Sequence, residues 1–222
     1  GITDYLTDGN ETDFTDFNYL TSNQRVDYII EQTNYYGYSG ERVKGLMFCS
    51  SKKEAAALSE RLNLRGYRTI ALSGEDSQEK REDAIDRLVS DTRSDYLQYI
   101  LTVDIFNEGV DIPEINQVVL LRPTQSPIVF VQQLGRGLRK SQDKEYVVIL
   151  DFIGNYKNNF MIPIALSGDR SYNKDNIRRY VLEGERIIPG SSTIHFDEIS
   201  KKQIFASIDT ANFADIKLIK DS

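Results

Sequence analysis

The 222-residue sequence has one cysteine, one histidine and no tryptophan. With Cys49 as the single cysteine, the chain can form neither an internal disulfide nor a cysteine zinc site, which fits a reducing, cytoplasmic compartment. A single histidine, His195, argues against histidine metal sites and most histidine-based catalytic groups. Its alternating Ser-Thr-Ile-His-Phe-Asp surroundings favour a position on a strand surface. Because no apolar run approaches the roughly 18 residues that a membrane-spanning helix needs, we expect no membrane partner.

Positive charge is also scarce. The chain has 27 Lys and Arg against 34 Asp and Glu, for a net charge of −7. This balance argues against a broadly basic nucleic-acid-binding surface. The first 20 residues contain acidic but no basic side chains, so the rest of the chain is nearly neutral. Any contact with nucleic acid should therefore use local backbone amides and a few side chains.

Strand and helix signals alternate between residues 45 and 151. We expect strands at 45–49, 67–72, 96–102, 117–121 and 145–150. Ser51 and Glu54 form a capping box for the helix after the first strand, and Asp76 and Glu79 occupy the capping positions of the next helix. Such alternation implies right-handed crossovers, hence an α/β fold with a mostly parallel sheet and helices on both faces. Ligand sites in such sheets lie beyond the carboxyl ends of the strands.

The flanking segments carry weaker signals. A packing helix is expected at 23–36, closed by Gly37 and Gly40. Beyond the last strand, residues 175–185 and 198–207 have helical patterns. The α/β core therefore has helical extensions at both its N- and C-terminal sides.

Residues 126–140, SPIVFVQQLGRGLRK, join an apolar helix start to two arginines. Gln132, Arg136 and Arg139 recur at i, i+4 and i+7, so they share one helix face. Guanidiniums one turn apart repel each other, and such a face indicates an anion-binding site. A solvated basic helix end is an equally good interpretation of this stretch taken alone.

Polar residues follow the other expected strands. The loop 103–113, VDIFNEGVDIP, has carboxylates at Asp104 and Asp111 that can accept hydrogen bonds from a ribose hydroxyl or an arginine. Gly109 suits a close approach of the backbone.

Ser50 and Ser51, at a helix start, offer N–H groups to a phosphate. The Ser51 side chain is better explained as an N-cap. Ser73 and Gly74 follow the second strand.

Together these segments resemble the motifs of superfamily 2 helicases. Residues 132–139 resemble motif VI, Q-x-x-G-R-x-x-R, while 103–113 resemble motif V and 48–51 motif IV. Residues 72–74 resemble the strand-loop-helix that follows motif IV. Their order and spacing resemble the second RecA-like lobe, of the P-loop NTPase type. The amino-acid sequence of 103–113 is most similar to that of the excision-repair helicase subunit. The run from Leu121 to Lys140 is most similar to the bacterial branch related to type III restriction-enzyme motor subunits.

The resemblance implies roles for particular residues. Arg139 would act as the arginine finger, with Arg136 as the second catalytic residue. The ATP-binding residues would be Gln132, Gly109 and Asp111. The nucleic-acid-binding residues would be Ser50, Ser51, Ser73, Gly74, Thr102 and Asp104.

The resemblance also implies cofactors and partners. ATP and Mg²⁺ are the expected cofactors, but the sequence contains neither G-x-x-x-x-G-K-[S/T] nor D-E-x-H. The Mg²⁺ ligands are therefore expected on a missing first lobe, and no metal ligand is assigned here. The expected partners are nucleic acid, with DNA favoured over RNA, and the first RecA-like lobe of the same full-length protein.

These expectations divide the chain into an acidic linker and packing helix (1–40), a RecA-like lobe (41–153) and a mainly helical extension (154–222). The expected function is the C-terminal motor lobe of an ATP-dependent helicase or translocase, inactive as an isolated fragment. The alternative is a non-enzymatic doubly wound module that binds a nucleotide or a protein, which would favour a glycine-rich turn in place of Cys49-Ser-Ser51. A second alternative, a stand-alone hydrolase, is disfavoured because this chain, with one histidine and one cysteine, offers no plausible nucleophile–base pair.

Overall fold

A computed structural model describes residues 22–103, 112–122, 144–152 and 173–187, with residues 201–202, 205–206 and 208–209. The described residues up to 152, apart from the gaps, belong to one compact unit, and those from 173 onward belong to a second.

Three helices of the first unit begin at serine N-caps. They are α1 (Asn23–Tyr36), α2 (Lys52–Leu64) and α3 (Gln78–Val89). In each, a serine Oγ accepts a hydrogen bond from the backbone N–H three residues on; the caps are Ser22, Ser51 and Ser77. Helix α1 ends at Gly37, which has φ 63° and donates its N–H to Thr33 O at 3.1 Å. The predicted packing helix and its closing glycine are thus confirmed.

The five strands of the described residues form one parallel sheet. They are β1 (Gly45–Phe48), β2 (Thr69–Leu72), β3 (Tyr99–Thr102), β4 (Gln117–Leu120) and β5 (Val148–Asp151). Their spatial order is β2-β3-β1-β4-β5. Phe48, the last residue of β1, pairs with Thr102 of β3 and Leu120 of β4. The carboxyl ends of the strands therefore lie at one edge, as predicted for a mostly parallel sheet.

Helices cover both faces of this sheet. Helices α1 and α2 contribute Val26, Ile29, Leu58 and Leu62 to a buried cluster that includes Met47 of β1. The connection from β2 to β3 runs across the sheet in the opposite direction to that from β1 to β2. Because such connections are right-handed, α3 lies on the other face.

Some strand starts differ from the prediction. Strands β2, β3 and β5 begin at Thr69, Tyr99 and Val148 rather than at Tyr67, Tyr96 and Glu145. Tyr96, the predicted start of β3, instead has its ring in contact with two guanidiniums. The Arg42 and Arg68 Cζ atoms are 5.1 and 4.3 Å from its centroid.

The prediction of Asp76 as the cap of α3 is wrong. Ser77 is the N-cap, and its Oγ accepts from the Lys80 N–H at 3.2 Å. The Asp76 carboxylate instead accepts a hydrogen bond from the backbone N–H of Ser73 at 2.6 Å, which closes the preceding turn.

The second unit contains helix α4 (Lys174–Ile187), which confirms the predicted helix at 175–185. Ile177, Val181 and Ile208 are buried. Arg178 forms ion pairs with Asp175 and Asp209. Across the described part of the chain, no helix combines the length and apolar character that crossing a membrane requires.

Candidate functional site

The candidate site is the edge of the sheet where β1, β2 and β3 end. Ser50 and Ser51 follow β1, Ser73 and Gly74 follow β2, and Thr102 is the last residue of β3. Leu72 and Phe48 both pair with Thr102, so the register brings these three strand ends side by side. Five of the residues predicted to bind nucleic acid are described by the structure, and all five lie at this edge.

The loop after β1 is organised by the first turn of α2. The Ser51 Oγ accepts from the Glu54 N–H at 3.1 Å, as the capping box requires. The Glu54 carboxylate reaches back to the Ser50 N–H at 2.6 Å. The backbone N–H of Ser50 is therefore already engaged, and what this exposed residue can offer a ligand is its side chain.

A buried carboxyl group lies beneath this loop. The Glu54 side chain is fully buried, and in the described part of the chain its Oε1 has no hydrogen-bond partner. Burial raises the pKa of Glu54, while hydrogen bonds from Ser50 and the charge of Arg25 oppose that rise. The neighbouring Cys49 thiol has a raised pKa through burial first and the Glu54 charge second. Cys49 is thus a core residue and not a reactive thiol.

The loop after β2 is a tight polar turn. Besides the Ser73 N–H, the Asp76 carboxylate accepts from the Ser73 Oγ at 3.2 Å. The hydrogen bond from Lys80 is the main cause of a lowered pKa for Asp76, which stays ionised. The Arg81 guanidinium donates to the Gly74 carbonyl at 2.8 Å, so Arg81 acts as a structural tether. Gly74 itself is exposed, with open space where a side chain would stand.

An exposed ion pair connects these two loops. Lys52 Nζ and Glu75 Oε1 are 2.5 Å apart. Lys52 immediately follows the N-cap Ser51, so it adds positive charge where the candidate loops meet. Our sequence interpretation missed Lys52, although its position directly after a helix N-cap was a usable signal.

Thr102 occupies a different environment from the two loops. Its side chain is 0% exposed, and within the described residues its Oγ1 has no hydrogen-bond partner. Its carbonyl accepts from the Cys49 N–H at 2.8 Å. In this conformation the Thr102 hydroxyl therefore cannot reach a nucleic-acid strand.

The remaining predicted site residues lie outside the described residues. They are Asp104, Gly109, Asp111, Gln132, Arg136 and Arg139. Among the residues that are described, no group of three or more His, Cys, Asp or Glu side chains is arranged to hold a metal ion.

A parallel sheet with helices on both faces and polar loops at its carboxyl edge defines a doubly wound α/β domain. The family described as "Helicase conserved C-terminal domain" matches residues 24–141, just over half of the chain. The chain therefore belongs to the helicase C-terminal domain family of superfamily 2.

Individual relatives agree with this assignment. IRC3 of Saccharomyces cerevisiae, a proposed ATP-dependent helicase, is 27% identical over 153 residues, which are 68% of this chain and 22% of IRC3. The ATP-dependent RNA helicase SrmB of Haemophilus influenzae is 30% identical over 99 residues, which are 45% of this chain and 22% of SrmB. This chain spans less than a third of the curated relatives that it matches most strongly.

Similarity to a solved structure supports the fold. The crystal structure of the yeast DEAD-box splicing factor Prp28 superposes with a TM-score of 0.52 at 18% identity. The match covers 82% of this chain and 34% of the Prp28 chain. It confirms the parallel α/β sheet predicted from the alternation of strands and helices, and the RecA-like type that the resemblance to the helicase motifs implied.

Proposed function

We propose that this chain is the C-terminal motor lobe of an ATP-dependent helicase or translocase. Membership of the helicase C-terminal domain family supports this function. The observation that carries it is the side-by-side placement of the ends of three neighbouring strands, β2, β3 and β1, along one sheet edge. Such an edge can present backbone amides and hydroxyls to consecutive phosphates of a strand.

In this proposal the nucleic acid runs past the loops after β1, β2 and β3. Ser50, Ser51, Ser73 and Gly74 contact its backbone. Ser50 and Ser73 act through their side chains, because their N–H groups are bound to Glu54 and Asp76. Asp104 and Thr102 hold the strand where the chain leaves β3. For Thr102 this contact requires a rearrangement that exposes the side chain, because the side chain is buried.

The second part of the proposal concerns nucleotide hydrolysis. ATP, together with Mg²⁺, would supply the phosphoryl group that is transferred to water. Arg139 and Arg136 would offset the negative charge that develops in the transition state. Gln132, Gly109 and Asp111 would hold and orient the nucleotide from this lobe's side.

The catalytic unit requires a first RecA-like lobe of the same protein, which supplies the phosphate cradle and the Mg²⁺ ligands. We propose that residues 41–153 are the motor lobe, with 1–40 as linker and packing helix and 154–222 as an extension. The burial of Val26 and Ile29 of α1 against the sheet supports the packing role of that helix.

The finer branch is also a proposal. The amino-acid sequences of motifs V and VI favour the type III restriction-enzyme and excision-repair branch, and therefore favour DNA as the nucleic acid that is bound. Several named relatives are ATP-dependent RNA helicases. Stimulation of ATP hydrolysis by single-stranded DNA and by RNA, measured side by side, decides between the two polymers.

The experiment that tests the function replaces Arg139 in the full-length protein. We expect Arg139→Ala to lower kcat for ATP by about 10³–10⁵, because the guanidinium acts in the transition state. ATP affinity should fall much less. The measurement is steady-state ATPase with nucleic acid present, alongside nucleotide binding.

Arg139→Lys is the matched control, since a point charge cannot replace a planar fork of donors, and it should recover little activity. Turnover of the Arg139→Ala protein at the wild-type rate would contradict the motif VI assignment and the function built on it.

A further inference from the structure

One buried ammonium group, that of Lys144, has no role in the site described above. Lys144 is 8% exposed, and its Nζ donates hydrogen bonds to two backbone carbonyls. The acceptors are Pro113 O and Ile115 O, the latter at 2.9 Å. Burial lowers the pKa of Lys144, and the charge of Glu114 opposes this effect. Burying an ammonium group is costly unless acceptors compensate it, so these contacts order both segments.

The position of Lys144 in the chain gives these contacts their meaning. The carbonyls belong to the segment that enters β4, directly after residues 104–111, which carry Gly109 and Asp111. Lys144 itself comes directly after residues 123–143, which carry Gln132, Arg136 and Arg139. One side chain therefore fastens together the ends of the two crossovers that contain motifs V and VI.

The point of attachment is fixed to the rest of the unit. The Asn116 side chain donates to Ser39 O and Arg42 O, both at 2.8 Å. Glu145, next to Lys144, donates its N–H to the Ser39 Oγ at 2.9 Å. The ends of both crossovers are thus hydrogen-bonded to the same segment, residues 39–42, at the amino edge of the sheet.

We propose that Lys144 is a positioning residue that holds motifs V and VI in register with each other, so that Arg139 and Arg136 meet the nucleotide whose contacts include Gly109 and Asp111. This inference rests on the proposed function. Lys144 touches neither ligand in the proposal; it acts through the two crossovers. Misplacement of a catalytic group by about 1 Å is enough to lower a rate about 100-fold.

The test uses Lys144→Met in the full-length protein, which keeps the length of the side chain and removes its donors. We expect kcat for nucleic-acid-stimulated ATP hydrolysis to fall by about ten-fold or more. The KM for ATP should change by less than kcat, because the arginines act chiefly in the transition state. The affinity for single-stranded nucleic acid should stay within about two-fold, because the loops after β1 and β2 are untouched. Lys144→Arg keeps a cation and several donors, and should retain more kcat than Lys144→Met.

Ser59→Ala is the matched control. Ser59 and Thr69 form a buried hydroxyl pair at 2.8 Å that joins α2 to β2, away from both crossovers. This variant should lose thermal stability without losing kcat. An equal loss of kcat in Ser59→Ala, a Lys144→Met protein with wild-type kcat, or one that does not fold would overturn the positioning role.

The Arg139→Ala protein separates this proposal from the function itself. If Arg139→Ala is silent and Lys144→Met is fully active, the proposal for Lys144 fails and the motor function stands. If Arg139→Ala is fully active, the proposed function fails first.

Discussion

At the scale of single residues, Gly45 shows how closely the centre of the sheet is packed. A Cβ atom on Gly45 would lie 2.3 Å from the Tyr99 ring across the β1–β3 pair. The ring cannot move away easily, because Tyr99 is 3% exposed and its hydroxyl donates to Gln117 Oε1 at 2.5 Å. Gln117 is in turn held by Thr33 O and Gly37 O of α1 and its cap.

We expect Gly45→Ala to lower the free energy of unfolding by about 1–3 kcal/mol, the usual cost of overpacking a filled core. Urea denaturation of the isolated chain measures it. Gly74→Ala is the matched control, because a Cβ there meets no atom within 4 Å, and it should change stability little. Equal midpoints for the two variants would show that the Tyr99 ring yields.

The residue scale is also where sequence analysis reached its limit. Thr102 carries a hydroxyl in a polar context, but its burial follows from the register of β3 against β1 and β2, which no local pattern contains. Lys144 was an ordinary surface-type residue in the sequence. Its burial depends on a contact with Pro113, 31 positions away in the chain.

At the scale of elements, the first turn of α2 combines a helix cap with a buried acid. Because burial raises the pKa of Glu54, the folded protein keeps the proton to a higher pH than the unfolded chain. Stability therefore falls as the pH rises from the ordinary value of 4.5 through the raised pKa of the folded state.

Glu54→Gln removes this titration and still leaves an oxygen to accept the Ser50 N–H. We expect the melting temperature of the variant, relative to wild type, to increase as the pH rises from 4.5 through the raised pKa of Glu54. Thermal melts at several pH values provide the measurement.

Glu79→Gln is the control, because Glu79 is an exposed residue in the first turn of α3. Its melting temperature relative to wild type should not vary in this way. A difference for Glu54→Gln that is flat with pH would mean that the carboxyl group is not destabilised by burial.

Element types were predictable from the sequence, whereas some element ends were not. Alternating apolar runs, bounded by serine or glycine residues, were sufficient to predict the strands of the parallel sheet and the helices between them. The choice between Asp76 and Ser77 as the cap of α3 depends on the turn that Asp76 closes with Ser73. Two adjacent residues with equal capping ability are separated by tertiary geometry alone.

At the scale of the whole molecule, charge governs binding to a polyanion. The net charge of −7 and the few candidate contacts lead us to expect weak, salt-sensitive binding of single strands by the isolated chain. The logarithm of the binding constant should fall with log salt by about 0.7 per phosphate contact. Titration of a labelled single strand at low and moderate salt measures this slope.

Lys52→Gln should reduce both the affinity and the slope, because Lys52 adjoins the loop after β1. Lys44→Gln, just before β1 at the opposite edge of the sheet, removes the same charge and should leave both unchanged. Tight binding that persists at high salt would reveal a different site, most simply in residues 154–222.

The central place of β1 has a consequence for how the chain folds. Lys44, just before this strand, is hydrogen-bonded to Asn116, 72 residues further along the chain. During synthesis at about 5–20 residues per second, β1 leaves the ribosome about 4–14 s before the segment that it finally pairs with. Its other neighbour, β3, is made earlier, so by the end of that interval one edge of β1 has its partner while the edge that pairs with β4 is still open. The sheet is therefore completed only after β4 has been made.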